Sequence, residues 1–312
     1  MKQFAFLFPG QGAQYIGMGK DFYSTYPVAK QVFEEADDIL KTNLSHLIFS
    51  GSDSDLTQTK NSQPAIFVMS LALLKTLKSL FGSHQPFACA GLSLGEYSAL
   101  VASGHMRMSD ALLLVQKRAQ FMHDACEEIK GTMAVCLGMA DEAVQEVVHS
   151  LNMPQDIWAA NFNCPGQVVI SGTQKGIEAA SKALSEQGAK RILPLQVHGA
   201  FHSGLMKPAQ EKLKSHIMTT PIEENECLVA MNCTGQFHSS SDEIRRNLIE
   251  QVVQPVYWHK SIGAMTTKGV ELFIEVGPGK TLAGMNKRIN ANALTLSLEK
   301  IEDLPLLEKA FT

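Results

Sequence analysis

An α/β fold is predicted for this chain of 312 residues: a hydrolase-like large domain with a mainly parallel sheet, plus an inserted ferredoxin-like small domain. Three observations predict it. Phe4–Phe8 is a continuous apolar run, the pattern of a strand buried on both faces of a parallel sheet. Strand-like and helix-like segments then alternate along the chain, which implies helices on both faces. Between residues 131 and 195 the order becomes β-α-β-β-α-β, the ferredoxin-like arrangement. The large domain is therefore expected over 1–130 and 196–312, and the small domain over 131–195.

The elements follow from local chemistry. The strand Phe4–Phe8 ends at Pro9-Gly10-Gln11-Gly12, a turn at its C-terminal edge. Ser62-Gln63-Pro64 reads as the start of a helix, with a capping serine and proline in the first turn, that carries Ile66, Met69, Leu73, Leu74 and Leu77. Phe87–Ala90 reads as a buried strand, and Glu96–Ala102 as a helix ending at Gly104. Ser109-Asp110 opens a further helix that stops near Gly131. In the small domain, Thr132–Met139, Ile157–Phe162, Gln167–Ser171 and Lys190–Leu195 read as strands. Asp141–Leu151 and Thr173–Gln187 read as its helices, and Cys164-Pro165-Gly166 as its central turn. Beyond it, Cys227–Met231, Glu271–Val276 and Leu294–Leu298 read as strands, and Ser241–Val252 as a helix.

Composition narrows the function classes. A net charge of −4 and the lack of a dense Lys/Arg block give no footprint for nucleic acid. The six cysteines are scattered without C-x-x-C spacing and suit reduced thiols in the cytosol. The N-terminal apolar stretch is too short for a signal peptide, and no apolar run is expected to cross a membrane. Neither a metal nor a cofactor is expected.

The chemistry concentrates at Gly91-Leu92-Ser93-Leu94-Gly95, a G-x-S-x-G pattern between a strand and a helix. On such a sharp turn the serine hydroxyl is pushed out of the sheet, while glycines allow close backbone approach. The hydroxyl then sits at a helix N-terminus, where amide N–H groups favour developing negative charge. The plainer reading is a capping serine flanked by turn glycines. Two other glycine-rich turns fail their motifs. Val276-Gly277-Pro278-Gly279-Lys280-Thr281 has Ile274 where a phosphate loop needs glycine, and Tyr15 takes the third glycine position of a dinucleotide fingerprint after Gly10-Gln11-Gly12. His198 and His202 lie four apart in a loop with no glutamate between them and no evident third metal ligand.

A serine needs a base, and His202, in a loop after the small domain, follows Ser93 in the chain order of hydrolase-like folds. Asp242, Glu243, Glu271 and Glu275 are candidate partners for its ring, and a backbone or side-chain carbonyl would serve equally well. Arg118 lies on an apolar helix stripe with Leu114, Phe121 and Met122. It reads either as a snorkelling or salt-bridged side chain or as a bidentate clamp for a carboxylate.

Six ordered motifs carry a resemblance over essentially the whole chain. They are Phe8–Gly12, Gly91–Gly95 with Glu96-Tyr97-Ser98-Ala99, Gln116-Lys117-Arg118, Asn163–Gly172, Ala200-Phe201-His202-Ser203 and Glu275–Gly279. Together they resemble the malonyl-CoA:acyl carrier protein transacylases of fatty-acid synthesis, within the acyltransferase family. The resemblance implies a ping-pong enzyme that takes malonyl-CoA and phosphopantetheinylated acyl carrier protein as partners; no cofactor is expected, and the chain is expected to be a monomer, although no residue pattern fixes its oligomeric state. It implies Ser93 as nucleophile, His202 as base, and the backbone N–H groups of Gln11 and Leu94 as the oxyanion site. Arg118 would hold the malonyl carboxylate, Gln251 would orient the histidine, and Phe201 would limit space for an α-methyl branch. Gln63, Asn163 and Met122 match pocket-lining positions. Leu92 departs from the histidine that many relatives carry before the nucleophile. Relatives with similar motifs load polyketide carriers, and a serine esterase or thioesterase would use the same Ser93 and His202 with water as acceptor.

Overall fold

All five residues of Phe4–Phe8 are buried, and their side chains divide between two cores. Phe4, Phe6 and Phe8 join the larger core on one face of the sheet, and Ala5 and Leu7 join a second around Trp258 and Phe273 on the other. That two-sided burial is why the strand has no polar face. The computed structural model describes residues 3–82, 84–289 and 293–311. Met1 and Lys2, the start of the N-terminal segment considered above, lie outside them.

The strands are β1 (Phe4–Phe8), β2 (Ala88–Gly91), β3 (Thr132–Leu137), β4 (Ile157–Cys164), β5 (Gln167–Gly172), β6 (Arg191–Pro194), β7 (Leu228–Met231), β8 (Gln236–His238), β9 (Leu272–Val276) and β10 (Leu294–Leu298). The large sheet has the order β10-β9-β1-β2-β7-β8. Its pairings are parallel except for the β7–β8 hairpin. The small sheet has the order β4-β5-β3-β6 and is antiparallel, which is the ferredoxin-like arrangement.

The small sheet has two unlike faces. Ala134, Cys136, Val168 and Ile170 pack on its own helices, Asp141–Ser150 and Gln174–Glu186, through Val144, Ile177, Ala180 and Leu184. The alternate residues Met133, Val135, Gln167 and Val169 face the large domain and line a cavity there. A short seam ties β4 of the small sheet to the loop at Val256 in the large domain. Phe162 N–H donates to the Val256 carbonyl at 2.8 Å, and Val256 N–H donates to the Ala160 carbonyl at 2.9 Å.

Three expectations need correction. The helix read from Ser62 begins earlier, spans Thr59–Phe81, and has Gln58 at its N-cap with no side-chain cap. Ser62 is buried inside it, and Pro64 falls past the first turn. Proline's fixed φ is already helical, so the cost there is the missing N–H and local crowding rather than a break. The same helix is long and apolar enough to cross a membrane, with a mean hydropathy of 1.5 over its best window, contrary to the reading of the sequence. Its apolar surface is instead buried against Pro27–Leu40, Met108–Glu128 and the sheet. The strand expected to reach Met139 ends at Leu137, because Gly138 turns the chain at φ +90°. Helices at Pro27–Leu40, Lys207–Thr219 and Trp258–Thr267 were not assigned from sequence.

Two glycines are required by close approach rather than by φ. A Cβ on Gly91 would overlap the Gly95 carbonyl group, and one on Gly95 would overlap the Phe8 carbonyl oxygen. The helix after β2 is thereby pressed onto the end of β1. Gly95→Ala is expected to destabilise the protein by about 2 kcal/mol or more, because backbone cannot yield as a side-chain tip can. Urea midpoints check this, and an unchanged midpoint would refute the packing argument.

Candidate active site

Ser93 sits on the elbow between β2 and the helix Gly95–Ala102 with φ +53°, a left-handed conformation for a residue with a Cβ. That conformation costs about 1–2 kcal/mol and persists where its surroundings hold it. Here Ser93 N–H donates to Asn232 Oδ1 at 2.7 Å, and Asn232 Nδ2 donates back to the Gly91 carbonyl at 2.7 Å. Gln251 Nε2 donates to the Ser93 carbonyl at 2.8 Å. The loop after β1 closes on the same turn, since a Cβ on Gly10 would stand 2.5 Å from the Leu92 carbonyl oxygen.

His202 is buried, also left-handed at φ +55°, and lies in the loop after β6. Its Nδ1–H donates to the Gln251 carbonyl at 2.8 Å, and a carbonyl can only accept, so this bond places the proton on Nδ1. Nε2 is left as the acceptor for the Ser93 hydroxyl at 2.8 Å. Burial first, and the Arg118 charge second, push the His202 pKa down to about 4. The imidazole is therefore a neutral base at neutral pH. Gln251 meets it through its backbone. None of the four carboxylates considered from sequence serves the ring: Glu275 caps the helix Thr281–Ile289, Asp242 pairs with Arg245 and Glu243 with His238, while Glu271 donates its N–H to Gln3 at the sheet's edge.

Arg118 is fully buried on the helix Met108–Glu128, so it is not a snorkelling side chain. It donates from Nη1 to Gln63 Oε1 at 2.6 Å, and from Nη2 to Gln251 Oε1 at 2.8 Å and Ser93 Oγ at 2.9 Å. Its Nε–H finds no acceptor among the described residues, and its guanidinium lies 5.5 Å from the Tyr97 ring centroid. Burial pulls its pKa down, but an arginine keeps its charge in proteins. The guanidinium is thus a desolvated cation beside the Ser93 hydroxyl with a donor to spare.

Two residues of this network were missed in the sequence. Glu96 is fully buried, and burial raises its pKa to about 7 against the opposing hydrogen bonds and the Arg118 charge. It accepts from Asn232 N–H at 2.6 Å and from Gln251 Nε2 at 2.7 Å. Asn232 lies just past β7. Its signal was position: a polar side chain at the C-terminal end of a parallel strand, beside the strand that carries the nucleophile. Glu96 could have been noticed as a charge within a short apolar helix.

Ser93 and His202 open onto a cavity of about 330 Å³ between the two sheets. Gln11, Gln63, Leu92, Met122, Asn163 and Phe201 also line it, so the expected pocket residues converge there. Gln63 Nε2 lies 3.7 Å from Met122 Sδ. The Gln11 and Leu94 N–H groups donate to no hydrogen bond among the described residues. Leu92 is held by its backbone, its N–H donating to the Phe8 carbonyl at 3.0 Å, and its side chain adds apolar wall to the cavity.

The fold and site define an α/β acyltransferase. A family model described as an acyl transferase domain matches residues 5–299, and the chain belongs to that family. It is 45% identical over 307 residues to the malonyl CoA-acyl carrier protein transacylase of Bacillus subtilis, covering 98% of this chain and 96% of that one. It is 40% identical over 297 residues to the enzyme of the same name from Escherichia coli K12, covering 95% and 96%. Among solved structures, it is similar to a malonyl-transacylase in complex with a type II polyketide synthase acyl-carrier protein. The TM-score is 0.95 at 35% identity, covering 99% of this chain and 100% of that one.

The His202 ring is expected to stay neutral by NMR from pH 8 to about 5, protonating near pH 4 rather than near 6.5. Unfolded His202 takes a proton near pH 6.5, so this residue withdraws stability as pH falls from about 6.5 to 4. A ring midpoint near 6.5 in the folded protein would contradict this. Asn232→Ala leaves the Ser93 N–H without its acceptor, at a cost of about 1–3 kcal/mol. Both the unfolding midpoint and the rate of Ser93 acylation should fall; a change in neither would show that Asn232 does not hold the elbow.

Proposed function

We propose that this chain transfers a malonyl group from malonyl-CoA to the phosphopantetheine thiol of acyl carrier protein, through a Ser93-bound acyl-enzyme. The supporting observation is Arg118, a buried cation 2.9 Å from the Ser93 hydroxyl. A plain esterase has little use for a desolvated guanidinium at its nucleophile, whereas an acyl group ending in a carboxylate needs one.

In the first half-reaction Ser93 Oγ attacks the thioester carbon and gives its proton to His202 Nε2. The new oxyanion is received by the N–H groups of Gln11 and Leu94, which come from the ends of β1 and β2. The C–S bond breaks, and His202 returns the proton to the leaving CoA thiol. In the second half the carrier thiol loses its proton to His202 and attacks the ester carbon. Ser93 Oγ then leaves and regains the proton. The malonyl carboxylate takes up the spare donors of Arg118, drawing it away from Ser93 Oγ. Gln63 and Gln251 hold the guanidinium plane, and Phe201 restricts space beside the base for an α-branch. Met122 and Asn163 complete the walls.

Residues 1–130 and 196–312 form the catalytic domain in this reading, with 131–195 as a smaller domain whose open sheet face covers the acyl chain. The protein works as a monomer in the cytosol, where its six thiols stay reduced, and involves neither nucleic acid nor a membrane. A polyketide-type carrier as acceptor is the second reading, favoured by the structural likeness to the malonyl-transacylase of such a system.

Incubation with radiolabelled malonyl-CoA should place the label on Ser93, and addition of holo carrier protein should remove it to the carrier. Loss of label to water would favour a hydrolase, and no labelling would refute both enzymes. Arg118→Ala should weaken malonyl transfer by about 2–4 kcal/mol and acetyl transfer far less. Equal losses for the two acyl groups would refute the carboxylate clamp.

A further inference from the structure

Outside the active site, the described residues hold one group of three candidate ligands whose donor atoms all lie within 4.8 Å of one another: His123, Glu127 and His198. Half-buried His123 and exposed Glu127 are one turn apart on the helix Met108–Glu128, which carries Arg118 on its buried side. His198 comes from the loop at 195–203, four residues before His202. Its Nε2 lies 2.6 Å from Glu127 Oε1, and its ring stacks on that of His123 with centroids 5.0 Å apart.

We propose that His123, Glu127 and His198 bind a divalent cation of the zinc class, which pins the loop carrying His202 to the helix carrying Arg118. Two imidazoles and one carboxylate suit zinc, whose fourth position water would fill. Glu127 is already oriented for single-oxygen coordination, because its other oxygen, Oε2, accepts from Lys130 Nζ at 2.8 Å. His198 and Glu127 are 35% and 52% exposed at their side chains, so an ion reaches them from solvent. Stacked rings do not aim two lone pairs at one point, and the ion requires each ring to turn about χ2, a soft torsion in histidine. Lys60 and Lys130 are the neighbouring cations and Asp124 the further carboxylate, so the surroundings do not exclude a divalent ion.

The loop is suited to such a pin. Gly199 passes so close to Cys126 on the same helix that a Cβ there would overlap its Sγ. The ion would add a second tie beside it, at Glu127 next to Cys126 and at His123 about one turn back.

Calorimetric titration of chelator-treated protein with zinc chloride at pH 7.5 tests this. The wild-type chain should bind one zinc and gain thermal stability. Affinity should fall about tenfold or more in His123→Ala and in His198→Ala, and cobalt(II) should show the absorption bands of a four-coordinate site only in the wild type. Neither His123 nor His198 lines the cavity at Ser93, so malonyl loading without added metal should be unchanged in both variants. Failure of the wild type to bind zinc, or equal binding by the variants, would overturn the site. Neither outcome bears on the acyl-transfer reading, which the labelling assay tests separately.

Discussion

A cation buried beside the Ser93 hydroxyl is the constraint on which this site rests. A guanidinium taken out of water costs several kcal/mol unless its donors are met. Among the described residues, no carboxylate is in direct contact with Arg118. Its charge is instead spread over two glutamine oxygens, the Ser93 hydroxyl and the face of Tyr97, with Glu96 behind Gln251. Each partner is itself fixed: Gln251 also holds the Ser93 carbonyl and Glu96, and Glu96 holds Asn232. Burial first and that same charge second hold the His202 ring neutral, so the buried cation also bears on the protonation of the imidazole.

The incomplete satisfaction of Arg118 has a chemical use. A fully paired guanidinium would have little to offer an incoming anion, since exchanging one set of good hydrogen bonds for another yields little net energy. In the proposed reaction the Ser93 hydroxyl stands where the carboxylate would, Gln63 and Gln251 keep their hold on the guanidinium, and Nε is unmet among the described residues. Binding of a malonyl carboxylate, as proposed, would replace a neutral partner with a charge-assisted pair in a dry setting.

Parallel strands explain where the parts lie. Gln11 follows β1, Ser93 follows β2 and Asn232 follows β7, so neighbouring strands deliver their loops to the same C-terminal edge. The glycines at 91 and 95 let the β2 elbow press against the end of β1. The small sheet then supplies Met133, Val135 and Val169 as the opposing wall. Alternation in those strands sends one set of side chains to their own helices and the other to the cavity.

Much of this was legible in the linear chain, for reasons tied to particular residues. The apolar run Phe4–Phe8, the glycines around Ser93 and the β-α-β-β-α-β rhythm each reflect a local rule, and local rules act on neighbours in sequence. The start of the helix Thr59–Phe81 was misplaced because Ser62 and Pro64 carry cap-like chemistry inside a helix whose packing overrides it. The roles of Glu96, Asn232 and the Gln251 backbone depend on contacts far apart in the chain: 136 positions between Glu96 and Asn232, 139 between Asn232 and Ser93, and 49 between the Gln251 carbonyl and His202. The sequence by itself determined which groups could do the chemistry: a serine at an elbow, a histidine in a later loop and an arginine on an apolar stripe. Only the tertiary structure decided that the arginine is buried and aimed at the serine, and that a backbone carbonyl orients the histidine. Burial and long-range hydrogen bonding are properties of the packed chain, and no spacing along it encodes them.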